Sequence, residues 1–416
     1  MNDYSFLPKS RLKPVYELPD PFLKPDGERV STTKEWYEQR TYIKQMLAHY
    51  MYGHAPEPPK DVKGEVVLSR PVYGGKAISE IVRISFGSVS FNCDLIRPNK
   101  PGRFPVVVVN QFKGCFGSPA EQELIENDIA YIEFEKEQLA PDSYACREGQ
   151  LFKEYPDCDW GEIAAWGWTM SRVADWLLTT DFAEPDWLIA SGHSRGGKVA
   201  LYAAAYDERF AVCAPSCSGC GGAGCFRFLG SRFGEGDGYC ETMGVMGENI
   251  GYWFNDEFWN YGLHSPGAVK GPKKNAPSQL DYVGKTGDEW LLPFDLHFVR
   301  ALIAPRALIT TDGLDDTWAN PYGTQISWRA AEEVFAFLGA YGRQALSYRD
   351  GGHAHSKDDW LKLISFVNHL KTGSVLRFDI NVSEPPKGAP TGWAKFSARF
   401  EPPKRFAWTA PERKDE

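Results

Sequence analysis

The chain has 416 residues, 43% of them hydrophobic and 14 of them Trp, with a formal net charge of −9. That length exceeds a usual single domain but supports a large core with insertions, and the negative balance argues against nucleic acid and anionic membrane as partners. No apolar run reaches the ~18 residues of a spanning helix. The nine cysteines leave at least one unpaired and do not form the framework of a small secreted domain. Met1 to Tyr16 is polar and carries Pro8 and Pro14, so no signal peptide is read there. The protein is expected in the cytoplasm or, if a leader was removed, outside it as a secreted or periplasmic protein.

Residues 1–60 read as a Pro-rich arm followed by a helix from Thr33 to Tyr52, with Trp36, Ile43, Leu47 and Met51 at helical spacing. Val66–Leu68, Ile78–Ser85 and Phe91–Ile96 read as strands separated by glycine turns, the antiparallel edge of a sheet. Pro105–Val109 is continuously apolar, as in a strand buried on both faces. Further strands are expected at Ile129–Phe134, Trp187–Ala190, Ala211–Pro215, Arg306–Thr311 and Ala345–Tyr348. Helices are expected at Glu162–Thr179, Val199–Tyr206, Gly323–Leu338 and Asp358–Leu370. Alternating strands and helices predict an α/β fold, a mostly parallel sheet in a three-layer α/β/α sandwich. About 225–290 shows no clear parallel strand and reads as an insertion capping an active site. The catalytic domain is expected over 61–372, with the tail 373–416 packing on the surface.

The chemistry concentrates at Gly192-His193-Ser194-Arg195-Gly196, between a strand and a helix. Gly-x-Ser-x-Gly in that setting is the nucleophile elbow of the α/β-hydrolases, where a sharp turn lifts the serine above the sheet. Serine is a weak nucleophile at its free pKa and needs a base, itself oriented by an acid. In this fold the acid and then the histidine follow late strands. Asp312-Gly313-Leu314-Asp315-Asp316 and Gly352-His353-Ala354-His355 stand in those places. Asp316 and His353 are the choices; Asp312 and Asp315 read as turn or capping residues, and His355 is the alternative base. Asn110–Gly117 lies where hydrolases supply an oxyanion amide. Cys217 and Cys220 have metal or redox spacing, but no second such pair occurs, and small buried loop residues is the preferred reading.

With these residues assembled, the chain resembles the glucuronoyl esterases, carbohydrate esterase family fifteen, especially their bacterial branch. The resemblance is carried by Arg195 and Lys198 around the elbow, Ala165-Trp166-Gly167-Trp168, Ser218-Gly219-Cys220-Gly221-Gly222, Tyr252-Trp253-Phe254, Pro293-Phe294-Asp295-Leu296-His297 and Asp316-Thr317-Trp318. It implies a serine esterase that cleaves the ester between (4-O-methyl-)glucuronic acid of glucuronoxylan and a lignin alcohol. By that resemblance Ser194 attacks, His353 relays the proton and Arg195 stabilises the oxyanion. Lys198, Trp318 and a glutamate bind the sugar; Glu241 fits best by spacing, with Glu248 and Glu235 competing. No metal, cofactor, nucleic acid or membrane is implied, and a monomer is expected.

Two departures from the family pattern stand out. Many members carry a glutamate where this chain has Cys217. A thiol is neutral near pH 7 and cannot stabilise an imidazolium, so the acid role falls to Asp316. Fungal members also join two cysteines beside the serine and the histidine; here those positions are His193 and Ala354. Other readings are an acetyl xylan esterase, which has no need of Arg195, Lys198 and Trp318, and a silent carbohydrate-binding scaffold.

Overall fold

The computed structural model describes residues 4–112, 114, 117–231, 234–235, 240–262, 287–377, 381–382 and 404–415. The first helix, α1 (Thr33–Leu47), begins with a capping box. The Thr32 side chain accepts from the Glu35 amide while the Glu35 carboxylate takes the Thr32 amide, satisfying two donors that a helix start leaves open. The helix widens into a π-helical turn, Ala48–Tyr52, and stops at Gly53, whose φ of 78° suits glycine. Trp36, Ile43, Met46 and Leu47 face the core.

The strands are β1 (Lys63–Val72), β2 (Ala77–Phe86), β3 (Val89–Pro98), β4 (Phe104–Gln111), β5 (Ala130–Glu135), β6 (Ala183–His193), β7 (Phe210–Ser216), the two-residue ribbon β8 (Gly230–Ser231) and β9 (Gly234–Glu235), β10 (Ala307–Gly313), β11 (Gln344–Arg349) and β12 (Asn381–Val382). The main sheet has the order β1-β2-β3-β5-β4-β6-β7-β10-β11-β12. Its centre, β5 through β11, is parallel, whereas β1 to β3 and β12 pair antiparallel at the two edges. This is the α/β-hydrolase arrangement that the alternating pattern predicts. β4 is buried along nearly its whole length, hence its unbroken valines. β1 lies at the edge, so Val66, Val67 and Leu68 stay about half exposed. The strand runs well beyond those three residues because an edge hairpin is held by backbone pairing more than by apolar burial.

The remaining helices are α2 (Glu121–Glu126), α3 (Gln150–Glu154), α4 (Glu162–Leu177), α5 (Arg195–Tyr206), α6 (Met243–Asn249), α7 (Asp256–Trp259), α8 (His297–Ile303), α9 (Pro321–Phe337) and α10 (Lys357–Thr372). α5 starts four residues earlier than the apolar pattern suggests, because Gly196 and Gly197 are poor helix formers that close packing retains. Among the described residues of 225–290, the ribbon and the short helices α6 and α7 stay out of the main sheet.

The two ends of the chain meet over α8. Trp408 donates through Nε1 to the Leu18 carbonyl at 2.7 Å and stacks on His297 with ring centroids 5.8 Å apart. His297 is fully buried, with Nε2 2.8 Å from the Pro19 carbonyl, and burial pushes its pKa down to about 4. The sign follows directly. Below about pH 6.5 the unfolded chain takes up a proton that the folded chain refuses, so stability falls as pH drops from there toward 4. Between pH 7 and pH 5 this one group removes about 2 kcal/mol. His297→Gln is therefore expected to lose less stability over that interval than the parent, by about that amount, in denaturant unfolding at the two pH values. Equal losses would contradict the assignment.

Candidate active site

β6 delivers the chain to Ser194, and α5 leaves from it. The turn has φ 55° and ψ −123° at Ser194, a conformation that costs energy in any residue but glycine. The flanking glycines follow from space: a Cβ on Gly192 would overlap the Gly196 backbone, and one on Gly196 would press on the Asn110 carbonyl. Ser194 donates its amide to the Ser216 carbonyl at 2.9 Å, tying the elbow to the neighbouring strand. Its hydroxyl caps nothing in α5. The Arg195 amide heads that helix, where the geometry provides no intrahelical acceptor and a developing oxyanion is a natural partner. Of the segment Asn110–Gly117, Asn110 and Gln111 end β4 and Phe112 begins the loop; residues 113, 115 and 116 lie outside the described residues.

Of the two histidines in the loop after β11, His353 meets the acid. Its Nδ1 lies 2.7 Å from Asp316 Oδ2. Asp316 is 2% exposed and His353 39% exposed, so a buried carboxylate orients an imidazole that reaches solvent. A protonated Nδ1 directed at the carboxylate leaves Nε2 as the basic atom. The other oxygen of Asp316 accepts from the Ala319 amide at 3.3 Å. His355 instead stacks on Trp360, with centroids 4.5 Å apart. His193, directly before the serine, lies 4.5 Å from the His353 ring and 5.8 Å from that of His355. Burial pushes both His193 and His355 down to about 3, so the neighbours of the candidate base are neutral rings at pH 7.

Cys217 occupies the third side of this group. Its φ is 45°, its amide donates to Asp312 Oδ1 at 2.9 Å, and its thiol, with Asp316 and His353, forms a cluster whose polar atoms lie within 4.8 Å of one another. Burial and the charges of Asp312 and Asp316 push the thiol well above its ordinary range, so it stays protonated. Cys220 points elsewhere, donating to the Cys225 carbonyl at 3.2 Å. Asp315 is exposed and accepts from the Gly351 amide at 3.1 Å, in keeping with a turn residue. Asp312 corrects the sequence reading. It is the penultimate residue of β10 and fully buried, and burial raises its pKa to about 6, so it is a core carboxyl beneath Cys217 and not a turn or cap.

Two ion pairs start from the helix that follows Ser194. The Arg195 guanidinium pairs with Asp142 and sits over the rings of Phe112 and Trp253, 5.1 and 4.8 Å from their centroids. Lys198, one turn along α5, donates to Glu241 Oε2 at 2.7 Å and to the Ser218 carbonyl at 2.6 Å. The lysine and glutamate side chains are 3% and 5% exposed. Gly219, with φ 61°, makes room for that pair, since a Cβ there would run into Glu241. The Glu241 amide donates to the Trp318 carbonyl at 3.0 Å, and Trp318 is itself half-buried. Lys198, Glu241 and Trp318, distant in sequence, thus come together. The side chains of Glu235 and Glu248 lie outside the described residues.

Comparison with known proteins decides the family. A family profile described as "Glucuronyl esterase, fungi" matches residues 82–266 and 279–339, more than half of the chain. The chain belongs to that family. Among its relatives are the carbohydrate esterase MZ0003 of an unknown prokaryotic organism, 27% identical with 86% of this chain and 91% of that one covered, and a 4-O-methyl-glucuronoyl methylesterase of Schizophyllum commune, 28% identical with 87% and 84% covered. A solved family 15 glucuronoyl esterase from Caldicellulosiruptor kristjansonii superposes with a TM-score of 0.72 at 27% identity, over 91% of this chain and 96% of that one. This glucuronyl esterase family member is accordingly a carboxylic ester hydrolase.

Sequence reasoning missed two groups in this candidate site. Asp142 is the hub of the Arg195 arrangement: besides the arginine it accepts from Trp253 Nε1 at 3.1 Å and from the Tyr252 hydroxyl at 3.3 Å, and Lys136 lies 3.4 Å away. Glu162, the first residue of α4, is fully buried within electrostatic range of Asp142 and Arg195, and burial pushes its carboxyl far above the usual range. Neither stands in a motif. Asp142 sits in a short loop and Glu162 reads as an ordinary acidic residue of a helix first turn.

Proposed function

We propose that the protein hydrolyses the ester between (4-O-methyl-)glucuronic acid of glucuronoxylan and a lignin alcohol, through an acyl-enzyme on Ser194. The Schizophyllum relative's name, 4-O-methyl-glucuronoyl methylesterase, supports that substrate class. The observation that carries it is the buried Lys198–Glu241 pair one helical turn from Ser194, with Trp253 and Trp318 close by. An acetyl ester has no ring for such groups to recognise. A uronate ring offers hydroxyls to the pair and apolar C–H faces to an indole.

The chemistry then runs in two halves. Ser194 Oγ attacks the ester carbonyl while His353 Nε2 takes its proton, and Asp316 stabilises the imidazolium. The Arg195 amide, with its guanidinium nearby, stabilises the oxyanion. The alcohol leaves with the proton from His353, and a water activated by the same nitrogen releases the uronic acid. No step calls for a metal or cofactor.

The finer reading places the chain in the branch that lacks the fungal active-site disulfide, with His193 stacking where a cysteine would stand. It comprises one catalytic domain over 61–372 with the N-terminal arm packed on it, acting as a monomer outside the cell, where its polysaccharide is; most of the tail 373–416 lies outside the described residues. Among the described residues no helix is long and apolar enough to cross a membrane.

Trp318→Ala tests ring recognition. It is expected to raise KM for benzyl glucuronate about tenfold, roughly 1.4 kcal/mol, and to leave kcat/KM for p-nitrophenyl acetate within about twofold. An equal loss on both esters would remove the sugar-recognition role.

A further inference from the structure

His353 sits on a loop that ought to be loose. Gly351, with φ 98°, and Gly352 precede it, and glycines give a chain wide conformational freedom. His353 and the adjoining Gly352 and Ala354 are exposed. The eight cysteines described form no disulfide with one another, so none among them braces the loop.

Asp315 holds Gly351 at the start of the loop through two hydrogen bonds and the Cys217 thiol lies 3.6 Å from the Ala354 carbonyl, but the contacts on both sides of His353 come from one guanidinium. Arg349, the last residue of β11, donates through Nη2 to the Gly352 carbonyl at 3.0 Å and to the Ala354 carbonyl, the residues on either side of His353. Nη1 donates to the Asp350 carbonyl at 3.3 Å. Nε donates to Asp359 Oδ2 at 2.9 Å, and the two side chains are 9% and 1% exposed. Asp359 is fixed in its turn. The same oxygen accepts the Ser356 amide and hydroxyl, each at 2.8 Å, in the capping box that starts α10. The planar fork of arginine therefore spans from the foot of a helix to both shoulders of the histidine, and also lies 3.7 Å from Cys217 Sγ on the neighbouring loop.

We propose that Arg349 is a positioning residue for His353, holding the loop so that the imidazole stays on the line between Ser194 and Asp316. The inference rests on the serine-esterase reading of the site and is indifferent to which acyl group is cleaved. A shift of about 1 Å in a catalytic group costs on the order of 10²-fold in rate, and Lys198, Glu241 and Trp318 stand on other segments. Loss of the guanidinium should thus fall on kcat and spare KM.

The test is kcat and KM of Arg349→Ala and Arg349→Lys on benzyl glucuronate and on p-nitrophenyl acetate, with and without millimolar guanidinium chloride. Arg349→Ala is expected to lose about 100-fold in kcat by the same factor on whichever esters the parent cleaves, with KM within about twofold. Arg349→Lys should recover little, because an ammonium is a point charge that cannot span three carbonyls and a carboxylate. Added guanidinium should raise kcat of Arg349→Ala about tenfold or more and leave the parent unchanged. If Arg349→Ala does not fold, Arg349→Lys carries the test, and a kcat above half the parental value overturns the proposal. So does a kcat loss in Arg349→Ala that guanidinium leaves untouched, or one matched by an equal rise in KM. A parent that cleaves acetate but not glucuronate would refute the substrate reading alone, and the Arg349 result would still be read on acetate.

Discussion

Asp316→Asn is expected to lower kcat by about 10³- to 10⁴-fold while the protein stays folded. Asparagine keeps a carbonyl oxygen for the Ala319 amide, so the turn at Thr317–Ala319 retains its cap. What it loses is the charge that stabilises an imidazolium, and it can turn an NH₂ toward His353 Nδ1, which favours the wrong tautomer. No neighbour can take over. The Cys217 thiol stays protonated because burial and two carboxylates oppose its ionisation. Asp312, though close, is fully buried and committed to the Cys217 amide. Steady-state kinetics on any ester the parent cleaves decide the matter, with Cys217→Ala as a companion expected within about threefold of the parent. A rate for Asp316→Asn within tenfold of the parent would show that another group supplies the acid.

Ser194→Ala is expected to cost about 10⁴- to 10⁶-fold in kcat, because the covalent route disappears and only binding and the oxyanion amide remain. The unfolding free energy should change by less than about 1 kcal/mol. The hydroxyl makes no cap hydrogen bond in α5, and alanine meets the same positive φ that serine already tolerates. Activity assay and denaturant unfolding on one preparation separate the two effects. Retention of more than a tenth of the rate in a properly folded variant would exclude Ser194 as nucleophile.

The framework was legible because its signals are local. Pro105–Val109 announces a doubly buried strand, and β4 is one; the glycines about Ser194 announce a turn that admits no Cβ, and their surroundings bear this out. Asp316 and His353 followed from their places after late strands, and the structure brings the two within 2.7 Å. Glu241 was reached only by counting residues, yet it meets Lys198 across 43 positions. Residues that act through tertiary neighbours left no trace. Asp142 lies 53 positions from Arg195, and Arg349 reaches Cys217 across 132. Asp312 misled for a physical reason: an aspartate at a strand end reads the same whether the following turn is wet or buried. The ends of β1 were missed because their pairing is made by backbone groups that sequence does not display.

The central claim is that this site recognises and cleaves a uronate ester. The most direct measurement is kcat/KM of the parent protein on benzyl glucuronate beside p-nitrophenyl acetate. Efficient cleavage of the glucuronate, by a wide margin over the acetate, is the predicted result. Cleavage of the acetate with none of the glucuronate would contradict it and leave a general esterase whose Lys198–Glu241 pair serves some other end.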